Sequence, residues 1–242
     1  MRSALLIAQR ELSAYLRTMS GYVIMAIVLV VDGLLFNVFA LGVPSKRLSA
    51  EVLNNFFYIA SGTTMIAAVF ISMRLLAEER QTGTISLLYS SPVRDGEIVL
   101  GKFLSALAFL AIMTLASVFM PALILVNGKI SLGHIVAGYL GLLLLGGASL
   151  AIGIFGSALA KSQIIAAIVS GCLLTFLVAC WLLARVTERP LSEIFTAMAL
   201  HNQHFQPFQA GLVHVRDIVY YLAITYLSLF AATRVLEARR WR

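Results

Sequence analysis

The sequence predicts an all-α membrane protein whose chain crosses the bilayer six times. Three observations carry that prediction. Of the 242 residues, 60% are hydrophobic and only 12% charged, where a soluble domain is nearer half apolar and a quarter charged. The mean hydropathy is +0.94. The apolar stretches continue for about 20 residues, enough for a helix to cross a hydrocarbon layer, and lack the alternation of barrel strands. A soluble enzyme, a disordered chain and a disulfide scaffold do not fit this composition. The net charge of +7 does not point to nucleic acid. The basic residues sit in short pieces at the ends of apolar segments, where lipid headgroups account for them, and no basic face with interleaved aromatics remains. Cys172 and Cys180 share one apolar segment and stand about 12 Å apart along a helix, beyond the reach of a disulfide.

Residues 1–19 read as an amphipathic helix lying on the membrane. Leu5, Ala8, Leu12, Tyr15 and Met19 repeat at helical spacing, and Ser3, Arg10 and Arg17 project to nearly the opposite side. An apolar face in lipid with arginines toward headgroups describes an interfacial helix. Arg2, Arg10, Glu11 and Arg17 interrupt any apolar run of secretory-signal length, so insertion is expected to begin with the first span. The six spans are expected over residues 21–41, 56–76, 103–126, 135–159, 164–183 and 218–235. With the amino terminus inside, twelve Lys and Arg fall on inside segments and six on outside segments, of 18 in all. That bias places both termini in the cytoplasm. No internal repeat divides the chain, and residues 1–242 are expected to form a single domain.

Two loops are long. The inside loop, residues 77–102, continues the second span as a charged helix through Glu78, Glu79 and Arg80 and stops at Gly83, a suitable helix C-terminal residue. Thr84 is placed to cap a short following helix, Ile85, Leu87 and Leu88 give it an apolar side, and Pro92 ends it. Asp95 is placed to cap the third span, with Glu97 in its first turn. A short helix held between two spans suits force transfer from a cytosolic partner; the same pattern also describes an ordinary capped loop. The outside loop, residues 186–217, has a helical pattern after Pro190 and then the stretch His201-Asn202-Gln203-His204-Phe205-Gln206-Pro207-Phe208. Pro121 should bend the third span near its outer end.

Within the spans, Asp32 is the lone acidic residue near the middle of span 1. A charge there is expensive and often functional. It could bind a proton or a polar substrate group, or hydrogen-bond to a neighbouring helix, with Asn37 sharing its polar face. Ser149, Gly153 and Ser157 recur every four residues on span 4, and small residues let backbones approach in lipid. Packing inside one bundle is favoured over a dimer seam. His201 and His204 have the spacing of a metal pair if helical, but no cysteine or carboxylate stands at ligand spacing. Packing at the outer surface is the expected role, and no metal or other cofactor is expected in this chain. Trp241 beside Arg239, Arg240 and Arg242 fits a headgroup anchor.

The stretch Glu78-Glu79-Arg80-x-x-Gly83-Thr84-Ile85-x-Leu87-Leu88-x-x-x-Pro92-Val93, followed by Gly101-Lys102, resembles the loop between spans 2 and 3 of type-2 ABC transporter permeases. In that family the loop carries the coupling helix, which seats in a groove of the ATP-binding subunit. The start, Gln9-Arg10-Glu11-Leu12-x-x-Tyr15-Leu16-Arg17, is similar to the family's elbow helix. The end is similar to the gliding-motility and nitrous-oxide-cluster branch, through His204-Phe205-x-x-Phe208-x-x-Gly211, Arg216-Asp217-x-x-Tyr220-Tyr221 and Leu236-Glu237-x-Arg239-Arg240-Trp241. The resemblance implies a permease of the bacterial inner membrane that exports or extracts a substrate. It implies a partner ABC ATPase that binds ATP and Mg, and a homodimer or a heterodimer with a second permease. No Gly-x-x-x-x-Gly-Lys-Ser/Thr loop is present to cradle phosphates, so the ATPase and all catalysis are expected in the partner. The alternatives are a gliding-type scaffold subunit without a transported substrate, and an ATP-independent channel or secondary transporter. The latter predicts more intramembrane ionisable residues or an inverted repeat. An intramembrane enzyme would need polar groups gathered at one depth.

Overall fold

A computed structural model describes residues 2–41, 49–84, 93–127 and 131–240. Among these, every regular element is helical: α1 (Arg2–Arg17), α2 (Met19–Leu35) continued by a π-helical segment (Phe36–Leu41), α3 (Ser49–Leu75), α4 (Ala77–Gln81), α5 (Asp95–Ala116), α6 (Phe119–Asn127), α7 (Leu132–Leu159), α8 (Gln163–Val186), α9 (Leu191–Met198), α10 (Gln206–Gln209) and α11 (Val215–Arg240). Six helical stretches are long and apolar enough to cross a membrane: Gly21–Val38, Ala50–Gln81, Asp95–Ile124, Leu132–Leu159, Gln163–Val186 and Val215–Arg239. They match the six expected spans in order and outrun several of them. The extra turns carry polar residues that sequence hydropathy trims away.

Span 4 (α7) is the axis of the bundle, packed against spans 2, 3, 5 and 6. Its small residues permit this. A Cβ on Gly153 would overlap the Ser72 side chain of span 2, one on Gly138 would overlap the Phe57 ring, and one on Gly156 would overlap Ser170 of span 5. Ser149 and Ser157 are fully buried on the same helix. The four-residue stripe is therefore spent on packing within the chain. Two apolar cores result. One, toward the end where α1, α4 and the carboxyl end of α11 meet (the base), gathers Tyr15, Ile71, Phe103, Phe109 and Leu150. The other, toward the far end, gathers Phe56, Phe57, Tyr139, Phe205, Phe208 and Tyr221.

Three local expectations change. First, α1 buries Ala4, Ala8 and Tyr15, while Leu5 is 57% and Met19 85% exposed. The helix lies against span 3, where Gly101 admits the backbone of Ala4 and the side chain of Ile7, and that contact rotates the buried face. Met19 leaves the stripe because Thr18 is extended (φ −96°, ψ 144°) and ends the helix. Second, Asp95 stands in the first turn of α5, with Arg94 at the N-cap position. Third, the central stretch of the outer loop packs inward, although Val186, Leu191, Ile194 and Leu212 on either side of it are exposed. Leu200, Phe205 and Phe208 are fully buried, and Phe208 presses on Gly141 of span 4. The loop plugs the far end. Tyr221 and Tyr220 donate from span 6 to the Leu200 and Met198 carbonyls at 2.9 and 3.0 Å.

The third span does break near Pro121. Helix α5 ends at Ala116 and α6 begins at Phe119. Pro121 has no N–H for the Ser117 carbonyl; the Met120 amide takes that carbonyl instead at 3.0 Å.

The Gly153–Ser72 contact can be tested by unfolding the purified protein in detergent. Gly153→Val overpacks the span 2–span 4 seam at about 1–3 kcal/mol and should lower the midpoint at about 2–4 °C per kcal/mol. Gly171→Ala, where a Cβ meets nothing within 4 Å and the helix interior favours Ala over Gly, should not lower it. Equal midpoints would contradict the close approach.

Candidate functional site

The described residues of the loop after span 2 form a short, anchored extension of that span. Span 2 pauses at Leu76 and resumes as α4, which ends at Gln81 with Thr82 as its C-cap; Gly83 follows in the left-handed region (φ +73°), as a C-terminal glycine does. Ile85, Leu87, Leu88 and Pro92, and hence the short helix expected there, lie outside the described residues. Thr84 uses its hydroxyl backwards, donating to the Glu79 carbonyl at 3.3 Å and sharing a 2.9 Å hydrogen bond with the Thr82 hydroxyl.

Each charged residue of α4 is tied to a different part of the bundle. Glu78 pairs with Arg74 one turn earlier, at 3.0 Å. Glu79 turns inward and accepts from Lys102 Nζ at 2.7 Å; the same ammonium donates to Glu11 of α1 at 3.2 Å. The Lys102 side chain is only 3% exposed. One buried cation on span 3 thus joins α1 to α4. Burying an ammonium costs several kcal/mol, which two carboxylates at contact distance offset. Arg80 Nη1 donates to the Ala158 and Ala160 carbonyls at 2.6 and 2.7 Å. These carbonyls end span 4, where unpaired acceptors and the negative end of the helix dipole favour a cation. Ser157 closes the other side, its Oγ accepting from the amides of Leu76 and Ala77 at 3.2 and 3.0 Å. The Gln81 side chain accepts from the Gln163 amide at the start of span 5, at 3.4 Å.

A cavity of about 280 Å³ lies within this cluster, lined by Glu11, Tyr15, Arg74, Glu78, Glu79 and Lys102. Tyr15 donates to the Ile71 carbonyl at 3.3 Å and stacks on Phe109 with centroids 5.0 Å apart. Burial pushes its phenol above the usual tyrosine range, with the Glu11 carboxylate adding to the effect, so it serves as a neutral donor. Charge-assisted bonds tie α4 to Lys102 of span 3, and through it to α1, and to the end of span 4; a neutral hydrogen bond ties it to the start of span 5. Lys102 and Glu11 entered the sequence analysis only as members of two separate family motifs, and neither their pairing nor the second role of Ser157 was read there, because the partners stand 23 to 91 residues away.

The other singled-out residues separate. Asp32 is buried and accepts from Thr63 of span 2 at 2.6 Å; it ties two helices together. Asn37 is exposed and does not share its face, since five positions on a helix turn the side chain about 140° away. His201 and His204 do not act as a pair. His201 Nε2 is 2.6 Å from Ser61 Oγ and its Nδ1 is 2.9 Å from Asn202, whereas His204 Nδ1 is 2.7 Å from buried Asp217 and its ring stacks on Tyr220. The segment between them is a series of turns, so helical spacing does not apply. Among the described residues no group of three or more His, Cys, Asp or Glu could hold a metal ion.

The family model for ABC-2 family transporter proteins matches residues 5–238, nearly the whole chain. No curated protein matches it.

The Lys102 triad predicts a sign-specific stability pattern. Lys102→Met strands two carboxylates and should cost about 3–5 kcal/mol in detergent unfolding. The triple change Glu11→Gln, Glu79→Gln, Lys102→Met should recover most of that loss. A triple variant as unstable as the single one would show that packing, not charge, is at stake.

Proposed function

The chain belongs to the ABC-2 family of transporter proteins, and from that membership we propose that it is the permease subunit whose movement is driven by a separate cytosolic ABC ATPase. It is the membrane component of a transporter; the ATP and Mg belong to the partner, and this chain carries no catalytic group of its own. The single domain crosses the bacterial inner membrane six times with both termini in the cytoplasm. It pairs with itself or with a sister permease, and moves its cargo outward by export or extraction. Its closing motif, from His204 to Trp241, supports the gliding-motility and nitrous-oxide-cluster branch.

The observation that carries this function is the anchorage of α4. A lever must be stiff at its root. Glu79, Arg80 and Gln81 hold α4 to span 3 with α1, to the end of span 4 and to the start of span 5. The ATPase would press on the loop beyond Gly83, and the residues placed there to meet it are Ile85, Leu87 and Leu88. In this arrangement Glu79 acts as an inward anchor, and α1 is the elbow helix that shares the load.

Two measurements test it. Leu88→Asp should abolish the permease's stimulation of its ATPase in proteoliposomes while leaving membrane insertion intact; undiminished stimulation would exclude the loop as the contact. A single cysteine at exposed Thr82, in a chain lacking Cys172 and Cys180, should react with an impermeant maleimide only from the cytoplasmic side. One at exposed Glu188 should react only from outside. The reverse pattern would overturn the orientation.

A further inference from the structure

Away from the base, a cavity of about 670 Å³ opens between the outer end of span 1, span 2, span 5 and the plugging loop. Its apolar wall includes Leu35, Met65, Val178 and Trp181, and its polar wall includes Asn55, Tyr58, Ser61, His201 and Asn202. The polar wall is built. Ser61 donates to the Tyr58 carbonyl at 2.6 Å and lies 2.6 Å from His201 Nε2, and His201 Nδ1 lies 2.9 Å from Asn202. Thr63 and Ile66 line this cavity and also a second one, of about 340 Å³, that lies between spans 1 and 2. The second is otherwise walled by apolar side chains, among them Ile24, Ile27, Val31 and Phe70. Both volumes fall in the range of about 300–1,000 Å³ typical of small-molecule sites.

We propose that the two cavities form one binding site for a single-chain amphiphile with an uncharged, hydrogen-bonding head group. The chain lies between spans 1 and 2 against Ile27, Val31 and Phe70. The head meets Asn55, Ser61 and Asn202. Three observations set this chemistry. Among the described residues lining either cavity, none is Lys, Arg, Asp or Glu, and Arg185, stacked on the Trp181 ring at 4.3 Å, is exposed rather than part of the lining, so a phosphate or ammonium within the cavity would be desolvated without a counter-charge among the lining residues. The nearest carboxyl, Asp32, is buried behind Thr63 and occupied by its hydroxyl. Burial pushes the His201 imidazole below its ordinary range, which keeps that wall neutral. An acyl chain alone would leave the amides of Asn55 and Asn202 facing hydrocarbon, whereas a hydroxyl or amide head satisfies them.

Trp181 reports on the site, being one of the two tryptophans in the chain; the other is removed by Trp241→Phe. The protein is reconstituted in phosphatidylcholine vesicles without any ATPase, so the outcome does not depend on the coupling role. A monoacylglycerol with a brominated chain is titrated against lysophosphatidic acid with the same chain. The monoacylglycerol should quench Trp181 saturably, at a mole fraction about tenfold lower, equivalent to about 1.4 kcal/mol. Asn202→Leu and Asn55→Leu should each merge the two curves. Ile66→Trp, which fills the junction of the cavities, should be read by displacement of a spin-labelled monoacylglycerol and should weaken its binding at an unchanged melting midpoint. Equal, non-saturating quenching by both probes would mean annular lipid only. A preference for the phosphate head, or no quenching by either because a second copy covers the groove, would also overturn the proposal.

Discussion

Gly153 and Ser72 meet with no room for a methyl group between them, and this closeness of spans 4 and 2 decides where much of the molecule sits. Lipid supplies no hydrophobic drive to bring helices together, so their affinity rests on dense packing and on the few polar bonds that close approach allows. Because span 4 is thin along this face, its end reaches the start of α4. There Ser157 can take two amides and offer the Ala158 and Ala160 carbonyls to Arg80. A wider seam would leave those groups unpartnered. At the other end, Gly138 and Gly141 leave space for Phe57 and Phe208, and the outer loop can enter.

The base and the far end use different physics for similar purposes. At the base, Lys102 is withdrawn from water, and Lys102 and Arg80 are each given two acceptors, where a surface pair would be worth little; these bonds fasten α4 to its neighbours. At the far end, aromatic rings and tyrosine hydroxyls bind the loop to span 6. Span 1 stands apart from both. It touches chiefly span 2, through Asp32 and Thr63 and through its π-helical end, and it leaves a crevice that the other spans do not.

The fold was largely legible in the sequence, because hydropathy over a whole span integrates many residues and tolerates errors at the ends. The break before Pro121 and the stop at Gly83 were legible for a similar reason: one missing amide or one missing Cβ has a local consequence. The site was legible only in outline. Glu78, Glu79 and Arg80 were found as a charged run, but a run of charges does not say which side chain turns inward, and the answer lay in Lys102 and Glu11 on other helices. Asn37 was assigned to the face of Asp32 although five positions do not return to the same side. The histidines were read by helical spacing in a segment that forms turns. Packing was expected of His201 and His204 at the outer surface, but the sequence does not name the partners, Ser61 and Asp217, which stand 140 and 13 residues away.

The Lys102 triad also imposes an order on biogenesis. Ribosomal synthesis proceeds from the amino terminus, so Glu11 emerges 91 residues before Lys102, when spans 1 and 2 are already threading. Until span 3 arrives, that carboxylate needs water, and α1 must wait at the headgroup boundary. Only when the lysine is delivered can the helix settle into its seat, so an element made ahead of all six spans is locked in place only after the third.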